Sequence, residues 1–232
     1  MDESTAVVTG GTRGIGRQVA GALANDGATV ALCGRDAEEV EASVAAIEDE
    51  GGEAVGLRAD VRDEFDVERL METAARNGTD GIDVVVANAG VYHGTPGETP
   101  LTMESYAAFD DTLRTNCRGV YAAIRESLPH LNDDARILVP TGSIGHETHA
   151  GYGSYAVSKA AAEGLVRGFS AELDVPVVGI DPGVVGTEMM GGKGRNPEDV
   201  AELFVWAATD ANAEDVDGET IGLKEWRKAT RE

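Results

Sequence analysis

The chain has 232 residues, of which 42% are hydrophobic, and it carries a formal net charge of −23 at neutral pH. This length fits one domain with a sizeable core, and so negative a surface repels nucleic acid and anionic membranes, which excludes both as expected partners. No apolar run approaches the roughly 20 residues of a membrane span. The acidic start of the chain lacks the pattern of a signal peptide, so we expect a cytoplasmic protein.

Strand and helix patterns alternate along the whole chain. The predicted strands are Thr5–Thr9, Ala28–Cys33, Ala54–Arg58, Ile82–Ala87, Arg136–Val139, Val175–Ile180 and Thr220–Leu223. The predicted helices are Gly14–Asn25, Asp36–Glu50, Asp63–Arg76, Met103–Leu131 with a break near Asn116, Tyr152–Leu173 and Pro197–Thr209. This alternation predicts an α/β fold in one domain, residues 1–232, with a Rossmann-like, doubly wound parallel sheet and helices on both faces.

Acidic side chains are spread along the sequence, whereas the few cations are mostly arginine. This balance resembles that of proteins from organisms with molar internal salt, where screening suppresses self-repulsion, so we expect a halophilic protein. An ordinary acidic protein is the alternative.

The cysteines and histidines do not predict a metal site. Cys33 and Cys117 lack the C-x-x-C spacing of zinc ligands and are expected as small buried hydrophobes. His146 and His149 lie close together without a further ligand, in a loop that either faces substrate or is simply solvated.

A glycine-rich turn joins the first strand to the first helix, with Gly10, Gly14 and Gly16 in the order G-x-x-x-G-x-G. Glycine adopts positive φ without a Cβ clash, so the turn can be tight and a pyrophosphate can approach the helix N-terminus. A plain strand-to-helix turn is the alternative.

Tyr155 and Lys159 form a Y-x-x-x-K pair whose spacing places both side chains on one face of a helix. Such a pair is common by itself. Together with the glycine turn, it makes the chain resemble the short-chain dehydrogenase/reductase family, from Thr5 to about Leu223.

The resemblance implies a catalytic group made of Asn116, Ser143, Tyr155 and Lys159. It also implies an NADP(H) site, and the residues implied for it are Gly10, Thr12, Arg13, Gly14, Ile15, Gly16, Arg35, Asp60, Val61, Asn88, Ala89, Gly90, Tyr155, Lys159, Pro182, Gly183, Val185 and Thr187. In the family pattern, Asp60 and Val61 contact the adenine. The turn 88–90 braces the sheet beside the cofactor, and the turn 182–183 holds the nicotinamide carboxamide. Ordinary turns and helix caps are the alternative at Asp60, Asn88, Asn116, Pro182 and Thr187.

Hydride transfer to a carbonyl develops negative charge on oxygen, which calls for an acid and a hydrogen-bond donor at that atom. A tyrosine phenol titrates near ~10, and a neighbouring ammonium favours the phenolate, so we expect Lys159 to lower the pKa of Tyr155. The resemblance adds that Lys159 holds the nicotinamide ribose, that Asn116 positions a water and that Ser143 binds the substrate oxygen. Ser143 lies one residue closer to Tyr155 than in many family members, and Thr141 is the alternative hydroxyl.

The end of the second strand predicts the cofactor. NAD-specific members of this fold place an acid there, whereas this chain has Gly34, followed by Arg35. Arg35 and Arg13 can both bind a 2′-phosphate, which favours NADP(H) over NAD(H). Asp36 leaves NAD(H) open, because a shift of one residue would bring its carboxylate to the ribose.

The substrate stays open between 3-oxoacyl thioesters and generic alcohols, because the segment Glu188–Asn196, where family members often carry a longer lid, is short here. The resemblance implies a homodimer or homotetramer built through the Tyr155 helix and the helix before it. The small residues of the Tyr155 helix allow close helix approach, and packing on the chain's own sheet is the alternative. A non-catalytic dinucleotide-binding sensor or scaffold is the alternative function, although such proteins lose the tyrosine or the lysine.

Overall fold

A computed structural model describes residues 1–78 and 81–230 and shows one parallel sheet of seven strands in these residues. The strands are β1 (Thr5–Thr9), β2 (Thr29–Gly34), β3 (Glu53–Arg58), β4 (Ile82–Val86), β5 (Leu131–Pro140), β6 (Val177–Asp181) and β7 (Thr220–Gly222). Their order is β3-β2-β1-β4-β5-β6-β7, and each neighbouring pair is parallel.

Helices cover both faces of this sheet. They are α1 (Gly14–Asn25), α2 (Ala37–Asp49), α3 (Glu64–Asn77), α4 (Tyr106–Leu113), α5 (Gly119–Ser127), α6 (Gly153–Ser170), α7 (Glu198–Thr209), α8 (Ala213–Val216) and α9 (Leu223–Thr230). Successive side chains of a strand point to opposite faces, so Val8 packs in the core under α1 and α7, and Val7 in the core under α3, α5 and α6. The predicted doubly wound fold is confirmed.

The region before β5 differs from the prediction. The helix predicted to reach Leu131 ends at Ser127, because Pro129 lacks a backbone N–H and lies in a 3₁₀ turn. The strand predicted from Arg136 begins at Leu131, which pairs with Ile82 of β4. The exposed residues Asp133 and Asp134 hid this extension, since they interrupt the hydrophobic pattern.

Two further bounds depend on local capping and on tertiary packing. Helix α4 begins at Tyr106 and not at Met103, because the Ser105 hydroxyl accepts from the Ala108 N–H and ends the preceding turn. Helix α9 was not predicted; Leu223 and Trp226 are partly buried and pack against the core under α1 and α7.

The chain runs from β1 outward to β3, and then crosses back to β4 on the other side of β1. In such a sheet the loops after the two central strands diverge and leave a crevice at the carboxyl edge. This reversal positions the cleft described below. In the part of the chain that the structure describes, no helix is both long enough and apolar enough to cross a bilayer.

Candidate active site

A cleft of about 660 Å³ lies at the carboxyl edge of the sheet. Its wall contains every residue predicted for cofactor binding, and also Ser143. The structure thus brings to one cleft residues that are far apart in the sequence. Asn116 is buried and supports the wall from behind.

The loop after β4 braces the glycine turn. The side-chain amide of Asn88 donates to the carbonyl oxygens of Thr9 (3.0 Å) and Gly10 (3.1 Å), and the Ala89 N–H donates to the Thr9 hydroxyl (3.0 Å). A Cβ at Gly16 would lie 2.3 Å from both the Asn88 Nδ2 and the Gly10 carbonyl oxygen. Only glycine therefore allows helix α1 to begin so close to this amide.

The end of β2 leaves no room for an acid. A Cβ at Gly34 would lie 2.5 Å from the Thr12 side chain, so a larger residue there requires this side chain to move. The Asp36 carboxylate caps helix α2 by accepting from the N–H groups of Glu38 (2.9 Å) and Glu39 (3.2 Å). Asp36 is thereby held at the helix end.

Cations flank this part of the cleft. Arg35 is exposed on the wall, and Arg13 lies across the turn with its guanidinium 3.6 Å from the carboxylate of Glu188. Glu39 also lines the wall, where it accepts from the Thr12 hydroxyl (3.2 Å).

The carboxylate predicted to contact adenine is already paired. Asp60 accepts from the Arg62 side chain (Nε, 2.9 Å), which holds the pKa of this carboxyl below its usual value, and Arg62 also reaches Asp111 (2.6 Å). Beside this pair, buried Val61 lines the cleft, and so does Thr115, whose buried hydroxyl has no hydrogen-bond partner among the described residues.

Tyr155 and Lys159 project from α6 into the cleft. The Lys159 ammonium donates to the Pro140 carbonyl (2.8 Å) and lies 5.5 Å from the centre of the Tyr155 ring. Burial lowers the pKa of Lys159 to about 8, against the opposing charge of Asp181. Burial, with a smaller contribution from Tyr92, raises the pKa of Tyr155 to about 12.

The pKa of Tyr155 therefore lies above its usual value, and the expectation that Lys159 lowers it is wrong. Tyr155 is only 9% exposed, so the phenolate loses its solvation and the pKa rises. At neutral pH the proton stays on Tyr155, which suits an acid.

Asn116 lies in a π-helical segment, Arg114–Arg118, at the predicted helix break. Its carboxamide pairs with the backbone of Val91, accepting from the N–H (2.7 Å) and donating to the carbonyl (2.9 Å), and it also donates to the Ser158 hydroxyl (3.0 Å). Single π turns inside α-helices are frequent at functional sites. Asn116 thus joins the loop after β4 to α6.

Of the two candidate hydroxyls, the structure engages one in the sheet. The Thr141 hydroxyl is buried and donates to the Ile180 carbonyl (3.3 Å). Ser143 begins a 3₁₀ turn, Ser143–Gly145, on the cleft wall. Both residues line the cleft, and the Thr141 hydroxyl is the one that bonds to the sheet.

The short chain dehydrogenase family matches residues 4–198. The chain belongs to this family. It is 31% identical to cis-4-hydroxycyclohexanecarboxylate dehydrogenase of Sinomonas cyclohexanicum, with 90% of each chain covered. Among solved structures it resembles a dehydrogenase/reductase from Sinorhizobium meliloti (TM-score 0.86, 33% identity, 96% of this chain and 94% of that one). It also resembles a short chain dehydrogenase from Burkholderia cenocepacia in complex with NADP (TM-score 0.85, 29% identity, 95% and 96%).

An aromatic cluster beside Tyr155 was not predicted from the sequence of this short chain dehydrogenase. The Tyr92 ring lies 5.0 Å from that of Tyr155 and 6.4 Å from that of Tyr152, measured between centroids. Tyr152 precedes Tyr155 by three residues, a helical spacing that could have indicated a shared face. Tyr92 lies in the loop after β4, and no sequence pattern indicated that it contacts Tyr155.

The two histidines of the predicted loop have different surroundings. His149 lines the cleft and lies 3.0 Å from the Glu147 carboxylate. His146 Nδ1 lies 2.8 Å from the carboxylate of Glu163 on α6, and this contact raises the pKa of His146. In the described ranges no group of three or more histidine, cysteine or carboxylate side chains is arranged to hold a metal ion.

The cleft fits the dinucleotide that the family fold binds. The glycine turn offers the N-terminus of α1, at which no acidic side chain stands in the first turn, and Thr115 offers an unpaired hydroxyl further along. Arg13 and Arg35 supply positive charge beside the same turn. An extended anionic ligand suits this donor set.

Proposed function

We propose that this chain is an NADP(H)-dependent oxidoreductase that acts on a carbonyl or secondary alcohol. The observation that carries the proposal is the protonated phenol of Tyr155 in the cleft, with Lys159 on the same helix face and Ser143 on the same wall. A non-catalytic sensor has no use for this buried acid. We further propose that residues 1–232 form one cytoplasmic domain.

In this proposal NADP(H), when bound, supplies or accepts the hydride. Tyr155 holds the proton at Oη and gives it to the substrate oxygen during reduction, while the Ser143 hydroxyl donates a hydrogen bond to the same oxygen. Lys159 keeps its position through the Pro140 carbonyl and contributes positive charge next to the phenol. Asn116 fixes the wall behind them and, through its π turn, holds a water that resupplies the proton.

The preference for NADP(H) rests on the end of β2. Gly34 has no room for the carboxylate that binds a ribose 2′-hydroxyl, and Asp36, the alternative, is engaged as a helix cap. Arg35 and Arg13 remain to bind a 2′-phosphate. The relative from Burkholderia cenocepacia, described as a complex with NADP, supports this preference.

The proposal is tested by following NADPH absorbance with a panel of ketones that includes cyclohexanone and ethyl acetoacetate. Tyr152, which lines the cleft and is supported by the Tyr92 ring, favours a ring-shaped substrate, in line with the cyclohexane ring named for the Sinomonas relative. We expect faster turnover of cyclohexanone than of the linear ester. A protein that binds NADPH and reduces no member of a broad panel would contradict the oxidoreductase assignment.

We also propose a homodimer or homotetramer that forms through α5 and α6. Here Tyr121 and Leu128 are 41% and 38% exposed, and a groove runs between them past Gly164 and Gly168. A monomeric mass in sedimentation would contradict this proposal.

The charge of −23 leads us to propose salt adaptation. Self-repulsion between carboxylates destabilises the folded state until salt screens it, since the Debye length falls from about 30 Å at 0.01 M to about 3 Å at 1 M. We expect the melting temperature to rise markedly over this range of KCl. An unchanged melting temperature would contradict salt adaptation and favour the alternative, an ordinary acidic protein.

A further inference from the structure

Helix α6 carries the catalytic tyrosine in its first turn but has no cap from its own sequence. The first N–H groups of a helix need acceptors from outside the helix. Asp36 and Asp63 supply them for α2 and α3, whereas Tyr152, at the corresponding position of α6, makes no side-chain cap hydrogen bond. The start of α6 must therefore be held in another way.

Glu104 supplies the missing acceptor from 50 residues away. One carboxylate oxygen accepts from the Ser154 N–H (2.6 Å), and the other accepts from the Ser154 hydroxyl (2.6 Å). Ser154 is fully buried and directly precedes Tyr155. A carboxylate forms strong charge-assisted bonds and interacts favourably with the positive end of the helix dipole. Glu104 therefore holds this turn more firmly than a neutral cap could.

The segment that carries Glu104, residues 92–105, contacts the residues just before α6 at further points. The Thr99 N–H donates to the Gly151 carbonyl (2.9 Å), and the Tyr92 hydroxyl lies 3.2 Å from the same oxygen. Thr99 also forms an isolated parallel bridge with Tyr152. The segment therefore packs on residues 151–154 and brings the Tyr92 ring against Tyr155.

We infer that Glu104 is a positioning residue, which holds Tyr155 in its working place by capping helix α6 through Ser154. The inference rests on the function proposed above. Glu104 touches neither the phenol nor the cleft wall, so it acts only through the helix start. A displacement of a reacting group by about 1 Å can cost about a hundredfold in rate.

The test uses Glu104→Ala, Ser154→Ala, the double variant and Glu104→Gln in the full chain. We expect Glu104→Ala to lower kcat for cyclohexanone with NADPH by about ten- to a hundredfold, with the NADPH dissociation constant within about threefold. The double variant should be no worse than Glu104→Ala, because that substitution already removes both bonds to Ser154, whereas Ser154→Ala removes only the hydroxyl bond. Glu104→Gln should recover most activity, since its amide can accept from the Ser154 N–H and donate to the hydroxyl.

Amide hydrogen exchange at residues 153–158 provides a readout that needs no turnover. It should speed up in Glu104→Ala, speed up less in Ser154→Ala, which keeps the backbone bond, and stay unchanged in the control Glu98→Ala, an exposed carboxylate of the same segment. Additive losses in the double variant, or exchange that rises equally throughout the protein, would overturn the positioning role. Wild-type exchange and kcat in Glu104→Ala would overturn it as well, whereas full activity in Tyr155→Phe would overturn the proposed function itself.

Discussion

The two ends of the cleft are built in different ways. At the nucleotide end, the glycine turn, the end of β2 and the Asn88 loop follow directly from three adjacent strands, and short backbone contacts hold them together. At the substrate end, the segment 92–105 packs beside Tyr155, and side chains from distant parts of the chain hold the surrounding loops to α6. Examples are Glu104 with Ser154 and His146 with Glu163.

This difference separates binding from chemistry. Small residues and backbone groups at the nucleotide end tolerate few substitutions, but each acts locally. At the substrate end, a contact far from the phenol can change its position. Variants at the two ends should therefore affect different constants, cofactor affinity at one end and kcat at the other.

The largest effect is expected for Tyr155→Phe. Because this variant removes the proton donor and keeps the ring, kcat should fall by about 10²- to 10⁴-fold, while the NADPH dissociation constant, measured by fluorescence, changes little. The control is Tyr106→Phe, at a tyrosine that is 90% exposed. Near-normal turnover in Tyr155→Phe would contradict the assignment of the chemistry to the substrate end.

Arg35→Ala tests the nucleotide end. Loss of a charged hydrogen bond to the 2′-phosphate should weaken NADPH binding by about 1.5–3 kcal/mol and leave NADH binding almost unchanged. Titration of both cofactors into wild type and variant measures the difference. Arg17→Ala, an exposed arginine of α1 outside the cleft wall, is the matched control. Equal losses for the two cofactors would mean that Arg35 does not contact the 2′-phosphate.

The smallest effect is expected for Glu163→Gln, which should change how the melting temperature depends on pH. Glu163 raises the pKa of His146 in the folded protein, so the pair stabilises the fold fully below the unfolded value near 6.5. This stabilisation is lost as the pH rises through the higher folded pKa. The melting temperature of wild type should therefore exceed that of the variant most below about pH 6.5, and the difference should shrink as the pH rises above it.

Glu172→Gln, at an exposed carboxylate just beyond α6, should show no such pH dependence. The prediction concerns His146 and the charges near it, Glu163, Glu147 and Asp181. A gap between wild type and Glu163→Gln that is constant with pH would show that His146 does not titrate against Glu163.

The nucleotide end was predictable from the sequence because its residues are set by short-range rules. Gly10, Gly14 and Gly16 meet the steric demands of one turn, and Asp36 caps the helix that follows it. The spacing of Tyr155 and Lys159 is equally local, since a helix places both on one face. The parallel, doubly wound sheet also followed, because alternating strands and helices have few allowed arrangements.

Only the tertiary structure decided how Tyr155 is held in place and what pKa its phenol has. Glu104 is 50 residues from Ser154, and Tyr92 is more than 60 from Tyr155, so no sequence period connects them. The raised pKa of Tyr155 follows from its burial, whereas the motif predicted that Lys159, one turn away, would lower it. Solvation depends on everything that surrounds a group in space, whereas a motif specifies only its neighbours along the chain.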